Sequence, residues 1–253
     1  PVDCIFLDPA RRNEHGGKTV AISDCEPNVA KLEGLLLSKA NRIMIKLSPM
    51  LDLSQALKEL PHTQEVHIIS VNNECKELLL LLGQTAPEEI PVHCVNLSTK
   101  GEQEKQLFVF TREQEQHSEC SYTDTLGNYL YEPNASLLKA GAFRSIAAAY
   151  SAKKLHPNSH LYTSDTQIEG FPGRTFRIIN RCSLNKKEIK ENLSDLKKAN
   201  ITVRNFPATV AELRKRIKLA EGGDTYLFAS TLNDGQKIPV SYTHLTLPTN
   251  SRV

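Results

Sequence analysis

A short apolar run that halts in an acid and a proline constrains this chain more than any other feature. Val2 to Leu7 (VDCIFL) is β-prone, and Asp8-Pro9-Ala10-Arg11-Arg12 follows at once. Proline fixes φ and offers no N–H to a sheet ladder, so the strand ends there. A strand that stops this way puts a carboxylate at the carboxyl edge of a sheet, where open α/β proteins bind ligands. The sequence begins at Pro1 and not at Met. The expectation is that it keeps this edge and lacks the strands that normally precede it.

The next hundred residues alternate in period. A helix is predicted over 29–39 (VAKLEGLLLSK) with Asn28 as its N-cap. Strand 42–47 (RIMIKL) ends in Ser48-Pro49, a helix is expected near 53–60, and strand 65–71 (EVHIISV) follows. Residues 74–82 carry five consecutive leucines, Leu78 to Leu82, and read as a helix buried on most sides. Strands 92–97 and 106–111, with a polar turn over 98–105, fit a hairpin. Together these imply a mainly parallel sheet with an antiparallel edge, in a domain over 1–112.

Residues 112–128 are polar and aperiodic, and read as a linker. In the segment 129–171, one helix is predicted over 136–152, with Leu137, Ala140, Phe143, Ile146 and Tyr150 on one face. Residues 172–240 read as a compact α+β module: strand 175–181, helix 186–199, strand 201–205, helix 210–219 and strand 225–231. Thr209 and Glu212 have capping-box spacing at the second helix. Ser241 to Val253 breaks the pattern and resembles a translated sequencing-adapter tail. It is expected to be non-native and is left out of the fold reading.

The net charge of +2 conceals a split. Residues 172–240 hold 14 lysines and arginines against 7 acids, whereas 1–171 hold 16 against 22. An acidic body joined to a basic module points to a polyanion such as nucleic acid as the module's partner. Lys/Glu-rich helices that merely solvate a surface are the plainer explanation. The six cysteines are scattered and form no CxxC, as expected of reduced thiols in a cytoplasmic protein. No metal site is expected: His156 and His160 are four apart, but Pro157 spoils the helix that would align them. No segment is apolar enough to span a bilayer. No GxGxxG appears, which argues against a dinucleotide enzyme.

The rigid turn after Asp8 can hold a carboxylate against a flat substrate. Such an acceptor suits an exocyclic amine or ring N–H, orients its lone pair, and can take the proton released on methylation. An ordinary Asp-Pro turn leaving a strand reads the same way in the tetrapeptide alone. Arg11 and Arg12 suit phosphate or carboxylate clamping, or else pair with Asp24 or Glu26. Lys46 ends the next strand, before Leu47-Ser48-Pro49-Met50, and would share a rim with Asp8 as a site residue or as its structural partner.

VDCIFLDPARR followed by KLSPMLD resembles the second half of a class I S-adenosylmethionine-dependent methyltransferase. The likeness is to the bacterial family with a C-terminal THUMP-like domain. LYEPNASLLKAGAF (130–143) is similar to that family's small ferredoxin-like insert, and NFPATVAELRKRIKLAEGGDTYLFAST (205–231) to its THUMP-like module. The fold implied is α/β: the C-terminal part of a Rossmann-like methyltransferase sheet followed by a small α+β (ferredoxin-like and THUMP-like) module. The resemblance implies S-adenosyl-L-methionine as cofactor and an RNA, tRNA or rRNA, as substrate. Asp8, Pro9, Ala10 and Arg11 occupy the family's base-contacting DPPY or NPPY motif, with Ala10 in place of the second proline. Arg174, Arg177, Arg181, Arg204, Arg214 and Arg216 become candidates for RNA contacts. The glycine-rich cofactor loop is not found; Gly16-Gly17 follows the wrong strand. A fragment of this kind is expected to be inactive alone. The rival reading is a non-catalytic RNA-binding adaptor that works through its basic module.

Overall fold

In the computed structural model, residues 2–11, 21–99, 105–182, 186–193, 196–237 and 240–245 are described. Gly16, Gly17 and Arg12 lie outside them, as does the centre of the turn expected over 98–105. The chain forms two compact units: Pro1–Ser118 with Asn134–Phe143, and Glu119–Pro133 with Arg144–Val253.

The first unit is built on β1 (Val2–Leu7), β2 (Ala10–Arg11), β3 (Cys25–Glu26), β4 (Ala40–Leu47), β5 (Thr63–Val71), β6 (Glu74–Leu82), β7 (Pro91–Leu97) and β8 (Lys105–Thr111). Its helices are α1 (Val29–Lys39), α2 (Leu53–Glu59), α3 (Arg112–His117) and α4 (Ala135–Ala140). Asn28 caps α1 by accepting from the Lys31 N–H at 3.2 Å, as its sequence position predicts. Six strands make one sheet in the order β1-β4-β6-β5-β7-β8. β1 runs parallel to β4 and β5 parallel to β7, while the other neighbours are antiparallel. The hairpin expected from the last two strands is present, with Val92 opposite Phe110.

The five-leucine run is a strand, β6, and not a helix. Alternate residues Leu78, Leu80 and Leu82 are fully buried, and Leu79 and Leu81 face the other way in partial cover. Both faces of a central strand need apolar side chains, which erases the alternation that marks an edge strand. The hairpin that creates β6 is set by Asn72 and Asn73, at φ 51° and 63°, between the paired Val71 and Glu74. Two adjacent left-handed residues define the two-residue turn whose twist suits a hairpin, and asparagine tolerates that backbone well.

The expected linker holds α3, whose capping box joins Thr111 and Gln114. The helix expected over 136–152 is two short ones. Gly141, at φ 76°, ends α4, and α5 (Arg144–Ala149) starts afresh in the second unit. α4 packs on β5, β6 and β7. A buried polar network holds it there. Ser70 Oγ donates to Asn96 Oδ1 at 2.9 Å, and the side-chain amides of Asn96 and Asn134 both reach Gln106 Oε1, at 3.3 and 3.1 Å. Asn134 also accepts from Leu137 N–H and Ser136 Oγ, while Asn73 Oδ1 takes the Ala135 N–H at 2.8 Å. Asn134→Ala removes a cap and leaves buried partners unmatched, so urea unfolding is expected to show a loss of about 2 kcal/mol. A loss below about 0.5 kcal/mol would show that water replaces the amide at no cost.

The second unit contains β9 (Tyr129–Pro133), β10 (Lys153–Lys154), β11 (Tyr162–Ser164), β12 (Gly173–Cys182), β13 (Asn200–Val203), β14 (Thr225–Ala229) and β15 (Val240–Leu245), with α6 (Lys186–Leu193) and α7 (Val210–Ile217). They form one seven-stranded sheet in the order β10-β11-β9-β12-β15-β14-β13. The Thr209–Glu212 capping box starts α7 as predicted. The segment 129–171 mixes helix and strand, and three of its strands join the sheet of the basic module. The tail that the sequence reading leaves aside contributes Ser241 to Leu245 to β15, which runs antiparallel to both β12 and β14.

Candidate functional site

β1 and β4 are parallel neighbours, with Phe6 beside Met44 and Leu7 beside Ile45, so their carboxyl ends fall together. Each then meets a proline. Asp8 and Lys46 lie on the same face one step on, and Lys46 Nζ meets Asp8 Oδ2 at 2.5 Å. The contact is half open to solvent, with the two side chains 54% (Asp8) and 31% (Lys46) exposed. Asp8's hydrogen bond, aided by the charge of Glu77, raises the Lys46 ammonium pKa against a smaller opposing effect of burial.

The turn after Asp8 is fixed on both sides. Pro9 is buried, and Ala10 and Arg11 pair antiparallel with Glu26 and Cys25 in a small ribbon. On the other rim Ser48 Oγ accepts from Met50 N–H at 3.2 Å, and Leu51 N–H returns to Ser48 O at 3.1 Å. Between these turns lies a cleft of ≈ 340 Å³ lined by Asp8, Pro9, Cys25, Lys46, Ser48, Lys76 and Glu77, among others. It is polar, with two carboxylates, two ammonium groups and a hydroxyl. Lys76 and Glu77 escape sequence reasoning because their strand reads as a helix; the Asn72-Asn73 pair is the signal that would have found them.

The structure thus brings Asp8, Pro9, Ala10 and Lys46 to one rim. Arg11 has its backbone there, but its side chain lies outside the described residues, as do all atoms of Arg12. No glycine is among the described residues that line the cleft.

The candidate RNA-contact arginines divide. Arg174 and Arg204 both turn inward to Glu132, whose side chain is 2% exposed; Arg204 Nη2 meets Oε1 at 2.9 Å and Arg174 takes Oε2. Arg174 also lies over the rings of Phe176 and Tyr226, 5.4 and 5.3 Å from their centroids. Arg214 points its guanidinium at the carbonyls of Ala199 and Leu219. Arg177 and Arg216 are exposed, and the Arg181 side chain lies outside the described residues. His156 and His160 are in a loop, as predicted. Burial, with Lys154 and Arg204 nearby, lowers the His160 pKa to about 4. The five cysteines with described side chains are free thiols. No helix among the described residues is long and apolar enough to cross a membrane.

Comparison with known proteins places these observations. Residues 129–172 match a family described as a ferredoxin-like domain, and residues 173–240 one described as THUMP domain-like. Over 96% of its length the chain is similar, at 40% identity and a TM-score of 0.85, to the crystal structure of a protein from Porphyromonas gingivalis W83 described as a putative methyltransferase. The chain spans 59% of that protein's length. No curated protein matches it.

Proposed function

We propose that this chain, which joins part of a methyltransferase fold to ferredoxin-like and THUMP-like domains, is the acceptor-binding and RNA-docking portion of an enzyme that methylates a nucleobase in RNA. One observation carries the reading: two parallel strands end together in Asp8 and Lys46 at a polar cleft of ≈ 340 Å³. S-adenosyl-L-methionine is the donor that the fold family implies, and it would supply a methyl group on a sulfonium. The chain's own part is on the acceptor side. Asp8 accepts an N–H of the target base and so holds the reacting lone pair toward the cleft. Methylation of that nitrogen leaves it one proton in excess, and the carboxylate takes that proton. Lys46 keeps Asp8 oriented from the next strand, and Pro9 prevents the turn from relaxing.

The basic module supplies the docking surface. Exposed Arg177 and Arg216, with Lys215 and Lys218 near Arg216, are the phosphate contacts. RNA affinity is then expected to fall steeply with salt, with a log–log slope that shrinks by about one for each phosphate-contacting residue removed. Filter binding of tRNA and rRNA fragments across a salt series measures this. Salt-insensitive or absent binding removes the docking role.

The donor is tested by titrating S-adenosyl-L-methionine into this chain and into a form extended to the length of the Porphyromonas protein. Weak or no binding is expected in the first and binding in the second. An extended form that also fails to bind overturns the transferase reading and leaves a non-catalytic RNA adaptor.

A further inference from the structure

We propose that Glu65, His67 and His93 form a binding site for a divalent transition-metal ion of the zinc class, on the half-covered face of the six-stranded sheet. His67 and His93 are register partners on the parallel strands β5 and β7, so their side chains leave the same face side by side. Their rings stack with centroids 4.4 Å apart and planes at 9°. Glu65, two residues before His67, rises from the same face by the period of the strand. Its Oε2 stands 3.1 Å from His67 Nε2 and 4.0 Å from His93 Nε2. One ligand atom from each residue lies within 4.8 Å of the others.

Two ring nitrogens converging on one carboxylate oxygen differ from a plain ion pair, which needs only one histidine. The second ring gains no short hydrogen bond from this carboxylate, yet is held with its Nε2 toward it. Two imidazole nitrogens and a carboxylate oxygen form the donor set of open zinc sites, with water in the remaining position. The three side chains are 27%, 26% and 45% exposed, so solvent can reach that position. Nitrogen donors favour zinc, cobalt, nickel and copper over magnesium and calcium. Imidazole lone pairs lie in the ring plane, so the two stacked rings must turn toward each other's edge for both Nε2 atoms to face one ion.

The site is separate from the cleft but related to it. Lys46, Leu79, His67 and His93 form one row across the sheet by register. Strands lie about 4.8 Å apart, which puts His67 two steps, or roughly 10 Å, from Lys46 on the same face. The proposal stands whether or not the protein is a methyltransferase.

The test uses the full chain, stripped of metal with a chelator and dialysed. Co²⁺ and Zn²⁺ are titrated separately, the first followed by visible absorption and the second by calorimetry. The expected result is one ion per chain, unaffected by excess Mg²⁺. His93→Gln and Glu65→Gln are each expected to weaken binding more than the roughly 10–100-fold that loss of a ligand's hydrogen-bond partner costs. His156→Gln and Cys4→Ser, remote from these residues in sequence, are expected to leave it unchanged. Nitrogen-15 NMR of the imidazoles serves if a variant fails to fold: Zn²⁺ should shift the His67 and His93 ring nitrogens and not those of His156. No stoichiometric binding, binding that survives both substitutions, or ring shifts confined to other histidines would overturn the proposal.

Discussion

Asp8→Ala is expected to lower methyl transfer by about 10²–10⁴-fold in the extended enzyme, the range in which a positioned acid or base contributes. The carboxylate is assigned two tasks, holding an N–H and receiving a proton, and alanine performs neither. The fold should tolerate the change, because Asp8 is more than half exposed and the Asp8–Lys46 pair is open to water. Asp8→Asn separates the tasks: the amide can still accept an N–H through its carbonyl but takes up no proton. If orientation dominates, asparagine retains most of the rate. If proton uptake dominates, asparagine is as poor as alanine. RNA affinity should fall far less than the rate in both, since the proposed phosphate contacts lie elsewhere in the chain. A variant with Asp8→Ala that turns over at the native rate would remove the motif from the chemistry.

Glu132→Gln carries the largest expected cost in stability. The Glu132 carboxylate is almost fully buried and serves two guanidinium groups, Arg174 directly opposite it in the β9–β12 register and Arg204 just beyond β13. Removing one partner of a buried ion pair leaves charge without compensation, which usually costs 3–5 kcal/mol. Here the arginines are a third or more exposed, 33% and 40%, and can recover some hydration. About 2–4 kcal/mol is therefore the expected loss for the second unit, read by urea unfolding. Because Glu132 lies in the ferredoxin-like match and both arginines in the THUMP-like match, this contact fastens the two matched segments to each other. It also changes what substitution of Arg174 or Arg204 reports. Either should weaken RNA binding only as far as it loosens the fold, and leave the salt slope intact. Arg216→Ala should reduce the slope with the fold unchanged. A loss below about 1 kcal/mol for Glu132→Gln would show that the triad is a solvated arrangement.

The part of this architecture that could be read from the chain is the part that local chemistry fixes. Asp8-Pro9 and Ser48-Pro49 end their strands by removing donors, and adjacent βα units bring those ends together. The caps at Asn28 and Thr209 announce their helices. What escaped was decided by surroundings. Leu78 to Leu82 have high helix propensity but lie in an interior strand, where apolar residues are required on both faces. The helical face from Leu137 to Tyr150 is continuous in sequence, yet Gly141 in the left-handed region splits it. The inward turn of Arg174 and Arg204 depends on Glu132, 42 and 72 residues away, and composition registers all three only as charge. The same holds for His67 and His93, which strand register alone makes neighbours.

The polypeptide changes unit three times, after Ser118, Pro133 and Phe143. α4 and its asparagine cap complete one body while the residues on either side complete the other. A recombination event after Ser118 would carry off the helix that covers β5 to β7, and one after Phe143 would strand β9 without β12. The two halves therefore cannot be traded between genes at a single junction. A graft of the second unit onto another sheet must bring a sheet face matched to α4.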